Sequence, residues 1–204
     1  VSERYGRRVV APASQHQTLP SLSTDRLVLR PVELGDLDLM VALNSDPAVM
    51  TYIRGRGATP DETAAEWRQR LDHQSDAARG LGYWAGFHAG VFVGWWSASS
   101  FEGRPEISGI GYRLRASGWG RGLASEGATV MIRQAFACRD IDRVFASTMA
   151  ANAGSRRVLE KLGMTKYASG AVSQDRQEIP GWEHGEVAYE LTRAKWSRPT
   201  LDRN

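Results

Sequence analysis

The densest chemical signal in the chain is Gly111-Tyr112-Arg113-Leu114-Arg115-Ala116-Ser117-Gly118-Trp119-Gly120-Arg121-Gly122-Leu123-Ala124-Ser125-Glu126. It reads as a strand, a glycine-rich turn and the start of a helix. First-turn helix amides have no internal acceptor and carry partial positive charge, so they attract phosphate. Gly120 and Gly122 lack a Cβ, which lets a diphosphate approach the backbone closely. Ala124 keeps the wall small, and Arg115 and Arg121 can add charge-assisted contacts to phosphate oxygens. No Gly-Lys-Ser/Thr follows, so the turn is not a P-loop, and the Gly-x-Gly-x-x-Gly spacing of a dinucleotide site is absent. Read alone, glycines at such a corner suit plain turn chemistry equally well. A second group is Asn152-Ala153-Gly154-Ser155. Asn152 is a natural helix N-cap and Ser155 shares its first turn; by itself this is a capped helix that Gly163 ends.

The elements that must hold these residues follow from periodicity. Leu27 and Leu29 alternate with Arg26, Val28 and Arg30 in a strand stopped by Pro31. Leu34, Leu37, Met40 and Val41 recur at helical spacing over Glu33 to Leu43, and Asp46-Pro47 is expected to end that helix. Tyr52 to Gly57 reads as a flexible basic loop. Thr59-Pro60-Asp61-Glu62 is a capping box that starts a helix running to Ala78. Leu81 to Ala89 and Val91 to Ser99 form a hairpin, and Ile107 to Arg115 is the next strand. Leu123 to Ala137 is helical, Arg143 to Thr148 a strand, Asn152 to Leu162 a helix, and Met164 to Ala168 and Glu186 to Thr192 the last strands. Strands in series, then strands alternating with helices, imply a mixed sheet with helices on its faces. Residues 1–22 read as a flexible arm, 23–196 as a single domain and 197–204 as a tail.

In this order and spacing the two groups together resemble the GNAT superfamily of acyl-CoA N-acyltransferases. Trp119 to Ala124 match that family's Gln/Arg-x-x-Gly-x-Gly/Ala signature, with Trp119 in its first position. Trp-Gly-x-Gly-x-Ala-Ser/Thr-Glu is similar to the branch of ribosomal-protein N-terminal acetyltransferases. So are Asp25-Arg26-Leu27-Val28-Leu29-Arg30-Pro31, Asp46-Pro47-Ala48-Val49-Met50, and the run from Asn152 and Ser155 through Gly163. The resemblance covers residues 23 to 195. It implies an α/β (α+β) fold: a central mixed, mostly antiparallel sheet with two splayed parallel strands and helices on both faces. Ile107–Leu114 and Arg143–Thr148 would be the splayed pair, with acyl-CoA in the gap. The pantetheine arm would run along Gly111–Leu114 as an extra strand does. The diphosphate would sit on the Trp119–Ser125 amides, and Asn152 would bond the pantetheine. The implied coenzyme contacts are Arg113, Leu114, Arg115, Trp119, Gly120, Arg121, Gly122, Leu123, Ala124, Ser125, Asn152 and Ser155.

The implied reaction is direct attack of a neutral amine on a thioester carbonyl. It needs a base or water chain for the ammonium, a donor for the oxyanion and an acid for the thiolate. Many family members place a tyrosine seven residues after the asparagine, where this chain has Leu159. The matched branch places a serine three residues after it, so Ser155 is expected to be the proton donor to sulfur, directly or by water. Glu106 and Tyr112 are candidates on the strand beside the coenzyme, and Glu183, His184 and Glu186 on the acceptor side. The branch's glutamate before Ile-Gly-Tyr is Gly109 here, which favours deprotonation through water.

Acetyl-CoA is the default donor, with succinyl-CoA as the alternative. The acceptor is an amine of a protein N-terminus, a lysine side chain or a small molecule. Tyr52–Gly57 and Gly170–His184 are expected to shape its site; Arg54 and Arg56 would favour an acidic acceptor, Glu178, Glu183 and Glu186 a cationic one. The competing class is a non-catalytic acyl-CoA sensor. A monomer or a homodimer fits either.

Composition excludes other classes. The 204 residues are 42% hydrophobic and 24% charged, ordinary for a globular chain. Lys+Arg 26 against Asp+Glu 23 leaves +3, no footprint for nucleic acid. A lone Cys138 rules out an intramolecular disulfide and a cysteine metal cluster, and it reads as a small buried hydrophobe. His16, His73, His88 and His184 show no ligand spacing, so no metal is expected. No apolar run approaches the roughly 20 residues of a membrane helix, and residues 1–20 lack the apolar core of a secretory signal. A cytoplasmic setting is expected. Of the seven tryptophans, Trp95 and Trp96 must point to opposite faces of one strand.

Overall fold

The computed structural model describes residues 19–71, 74–101 and 103–197. Residues 1–18 of the expected arm and 198–204 of the expected tail lie outside the described residues, as do His16 and His73. The strands are β1 (Leu22–Ser23), β2 (Leu27–Pro31), β3 (Gly82–His88), β4 (Val91–Phe101), β5 (Arg104–Leu114), β6 (Arg143–Met149), β7 (Thr165–Gly170) and β8 (Glu186–Thr192). The helices are α1 (Leu37–Asn44), α2 (Pro47–Arg54), α3 (Pro60–Leu71), α4 (Gln74–Ala78), α5 (Leu123–Ala137), α6 (Ala153–Lys161) and α7 (Arg193–Trp196).

The sheet order is β1-β2-β3-β4-β5-β6-β8-β7. Every neighbouring pair is antiparallel except β5 and β6. Those two run parallel and stay in register only for Ile107↔Arg143, Ser108↔Val144 and Gly109↔Phe145. Beyond Gly109, β5 remains paired with β4 as far as Leu114, and β6 with β8 as far as Met149. Their facing edges part and open a wedge. This is the splayed pair the family resemblance implies.

Strand alternation sorts the core into two layers. On one face Trp96, Ile110, Leu114, Val144 and Ala146 meet α5 through Leu123, Ala128 and Met131. On the other, Ala85, Phe92 and Trp95 take Met40, Leu43, Val49 and Trp67 from α1, α2 and α3. Trp95 and Trp96 therefore do face opposite ways. Trp96 Nε1 donates to the Ala124 carbonyl at 3.1 Å, and a Cβ at Gly127 would lie 2.4 Å from the Trp96 ring. Gly127 lets α5 lie directly on the indole.

Local signals hold in most places. Thr59 and Glu62 close the capping box, with Glu62 N–H donating to Thr59 Oγ1 at 3.2 Å and Thr59 N–H to Glu62 Oε2 at 2.8 Å. Asp46-Pro47 does end α1, but it also begins α2: Asp46 Oδ1 accepts from Ala48 N–H at 2.9 Å and Pro47 fills the first turn. A proline that lacks an N–H and fixes φ starts a helix as readily as it stops one. The expected basic loop is thus helical through Arg54, and Gly55 closes it. The helix expected over 60–78 is instead α3 to Leu71 and a separate α4. Order also begins before the expected domain start. Pro20 O accepts from Trp84 Nε1 at 2.8 Å, and β1 pairs with β2.

Candidate active site

The glycine turn stands at the end of β5, at the mouth of the wedge. Gly120 (φ +70°) and Gly122 (φ +78°) both take the left-handed conformation. A Cβ at Gly120 would meet nothing within 4 Å, so conformation rather than crowding demands glycine there. Trp119 N–H is bonded to Ala116 O and Glu126 N–H to Gly122 O. Between them lie the outward-facing amides of the first turn of α5. Trp119 Nε1 donates to Leu114 O at 3.0 Å, with half of the residue exposed, and Thr129 Oγ1 donates to the carbonyl of buried Ser125 at 2.8 Å.

The turn is braced from the segment between β1 and β2, to which sequence reasoning assigned no role. Arg26 Nε donates to Glu126 Oε2 at 2.6 Å, Arg26 Nη1 to Arg121 O at 2.8 Å, and Arg26 N–H to Glu126 Oε1 at 3.0 Å. Thr24 Oγ1 adds a bond to Glu126 Oε1 at 2.5 Å. Burial opposes the Glu126 charge, but the bonds from Thr24 and Arg26 outweigh it and hold this carboxyl below its usual range. Beside this brace runs an open groove of about 280 Å³, lined by Arg26, Gly122, Ser125, Thr129, Lys161 and Trp196 among others. The sequence offers no signal for this brace beyond the charges themselves, Arg26 and Glu126, 100 positions apart.

The flanking arginines divide. Arg121 Nη2 meets His88 Nε2 at 2.9 Å near the turn. Arg113 on β5 and Arg115 just past its end face away from α5. Arg113 donates to Asn44 Oδ1 at 2.5 Å, pairs with Glu66 at 3.4 Å and lies over Trp95 at 5.3 Å. Burial lowers its guanidinium to about 10, against the pull of Glu66, which leaves it charged at neutral pH. Arg115 lies over Phe92 at 5.4 Å. Of these two, the backbone rather than the side chain is available to a ligand in the wedge.

Across the wedge, Asn152 caps α6: its Oδ1 accepts from Ser155 N–H at 3.0 Å. Tyr112 reaches over from β5, its phenol 3.0 Å from Ser155 Oγ and donating to Ser155 O at 3.3 Å. Burial pushes the Tyr112 hydroxyl up to about 12, with the Ser155 bond pulling the other way. It therefore stays protonated at neutral pH. Sequence reasoning named both residues without pairing them.

Glu106 stands apart. It lies at the opposite end of β5, six residues from Tyr112, about 20 Å along an extended strand. Arg104 Nε donates to it at 2.5 Å, and its own backbone amide, then Arg104, hold its carboxyl below the usual range. On the acceptor side Tyr52 packs against Met149, Val172 and Ile179, and a Cβ at Gly55 would lie 3.1 Å from Glu178 O. The Tyr52–Gly57 segment and the 170–184 segment therefore meet. Glu183 and His184 lie 3.5 Å apart in the open, and Glu186 is bonded to Arg176. Cys138 is half-buried at the end of α5. Among the described residues, no group of three or more His, Cys, Asp or Glu could hold a metal, and no helix is long and apolar enough to cross a membrane.

A family model described as an acetyltransferase (GNAT) domain matches residues 26–165. The FsC-acetyl coenzyme A-N(2)-transacetylase of Aspergillus fumigatus is 35% identical over 198 residues, covering 91% of this chain and 83% of that protein. Among solved structures, the ribosomal L7/L12 alpha-N-protein acetyltransferase in complex with coenzyme A has a TM-score of 0.70 at 18% identity, covering 87% of this chain and 98% of that one. Spermidine N-acetyltransferase from Vibrio cholerae, in complex with CoA and spermine, has a TM-score of 0.70 at 15% identity, covering 86% and 100%. At those identities the two structures attest the fold.

Proposed function

The chain belongs to the GNAT acetyltransferase family, as an acetyl-CoA-dependent N-acetyltransferase, and we propose that it acetylates the primary amine of a small molecule with Tyr112 and Ser155 as its acid. The observation that carries this reading is the 3.0 Å contact between Tyr112 OH and Ser155 Oγ beside the wedge. A serine hydroxyl alone is a poor proton source at neutral pH. Coupled to a buried phenol it becomes the inner end of a short relay. A phenol from β5 would thereby stand in for the one absent at Leu159, which favours turnover over a binding-only sensor.

The residues fit the coenzyme. The turn amides and Arg121 suit its diphosphate. The edge of β5 past Gly109, free on the β6 side, suits the amides of the pantetheine arm. The groove with Arg26 and Lys161 suits further phosphate. The acceptor nitrogen forms a bond to the thioester carbonyl carbon, the C–S bond breaks, and its electron pair goes to sulfur. Ser155, backed by Tyr112, hands that sulfur a proton. Water takes the amine's proton: Gly109 holds no carboxylate, and Arg104 already holds Glu106 at 2.5 Å. A small-molecule acceptor is favoured by the Aspergillus fumigatus relative, which is named for acetyl transfer to an N(2) nitrogen.

CoA release from acetyl-CoA with a panel of small amines and peptides tests this. Ser155→Ala and Tyr112→Phe should each lower kcat by about 10- to 100-fold with the KM for acetyl-CoA little changed. Full kcat in both variants would remove the acid assignment. Faster turnover of peptides than of small amines would remove the acceptor assignment.

A further inference from the structure

We infer that the acceptor is seated on an aromatic shelf formed by Phe101, Phe145 and Tyr167, and that the body beside its amine is flat or apolar and uncharged. The inference rests on the amine-acceptor reading above. Phe145 pairs with Gly109, the last registered pair before β5 and β6 part, so its ring stands at the apex of the wedge. Alternation with Val144 and Ala146, which are in the α5 core, puts it on the opposite face. Its ring meets Phe101 at 5.4 Å and 72° and Tyr167 at 6.2 Å and 64°. Three rings thus form an edge-to-face row spanning β4, β6 and β7. The helices on this face close over Ala85, Phe92 and Trp95 instead. Phe101 and Tyr167 are 41% and 52% exposed. A row of open aromatics at the apex of the wedge marks a binding surface.

The floor between shelf and wedge is small and neutral. Gly109 and Gly111 lie beside Ser99 and Ser97, whose Oγ atoms would be 3.3 and 3.0 Å from a Cβ at each glycine. Two described carboxylates on this face are already matched. Glu186 and Glu190 alternate with the core residues Val187, Tyr189 and Leu191 and are bonded to Arg176 and, at 3.0 Å, Arg143. Above them Glu66 pairs with Arg70 at 2.7 Å and Glu62 with Arg56 at 2.6 Å. Four arginines share Glu62 and Glu66, so a polycation would have to displace one of them to gain a carboxylate. Arg56 and Glu186, which taken singly argue for opposite acceptor charges, are each matched at home. An apolar or planar body gains from the rings without that cost.

Steady-state acetylation of phenethylamine, spermidine and aspartate by the full chain tests the shelf, with Tyr167→Ala, Tyr167→Phe and sedimentation of each protein. Phenethylamine should lead in kcat/KM. Tyr167→Ala should raise its KM by about 5- to 10-fold, Tyr167→Phe should restore it, and the KM for acetyl-CoA should not move. Turnover led by spermidine or aspartate leaves the amine reading standing and overturns the shelf. An unchanged phenethylamine KM in Tyr167→Ala overturns it as well. A dimer that Tyr167→Ala dissociates without shifting that KM assigns the shelf to a second copy instead. No turnover of any of the three, with acetyl-CoA still bound by calorimetry, overturns both readings.

Discussion

Arg26 makes three bonds to two residues: two to the Glu126 carboxylate, from its Nε and its backbone N–H, and one to the Arg121 carbonyl. Its guanidinium holds the turn on which the diphosphate would rest. Arg26→Ala should raise the Kd for CoA by about 10-fold, as expected for loss of a charge-assisted bond, with smaller effect on kcat. Isothermal calorimetry reads this directly, and an unchanged Kd would leave Arg26 a purely structural role. The pH dependence has a defined sign. Glu126 is lower in the folded chain than in the unfolded one, so its contribution is full above the unfolded value. It is lost as pH falls through the folded one. The Glu126 contribution to CoA affinity should therefore be constant across neutral pH and be lost only in the acid range below ordinary carboxylates. Gly122→Ala forces a Cβ into the left-handed region and should cost about 1–2 kcal/mol, visible as a lower Tm. At this scale the sequence was read well for the turn and the Asn152 cap, because those depend on neighbours along the chain. Glu106 attracted attention for its charge and its strand, yet Arg104 already holds its carboxylate.

The boundaries of α5 were legible because its apolar face repeats over 15 residues and a glycine turn opens it. What holds it at the sheet was not. Gly127 is an unremarkable helix residue until Trp96 is placed beneath it. Gly127→Ala would put a methyl 2.4 Å from that ring, and such overpacking should cost about 1–3 kcal/mol. A thermal melt would show it as a fall of about 2–4 °C for each kcal/mol. Because α5 carries the phosphate turn, weaker CoA binding should accompany the lower Tm. On the other face, the Arg70 guanidinium lies over Trp67, Tyr83 and Trp95 at 5.3, 5.3 and 4.8 Å and ties α3 to the sheet. The start of α2 was misread since Pro47 is compatible with both a stop and a start, and only the Asp46 cap distinguishes them.

The whole molecule is a sheet that runs unbroken from β1 to β7 except where β5 and β6 part. That wedge leaves backbone donors and acceptors on two inner edges without strand partners, a state that a bound extended ligand relieves. Hydrogen exchange should therefore slow on adding CoA at the β5 amides past Gly109 and at the first turn of α5, and little at β2 or β3. Uniform slowing, or none, would count against the wedge as the coenzyme site. The chain by itself determined the turn, the caps, the alternation of strands and the family they spell. Each rests on backbone geometry within a few residues. Only the tertiary structure decided that Tyr112 meets Ser155 across 43 residues, that Arg26 meets Glu126 across 100, and that Phe145 stands between Phe101 and Tyr167. Such contacts depend on sheet order and register, and these are set by how buried faces match, not by any spacing along the chain.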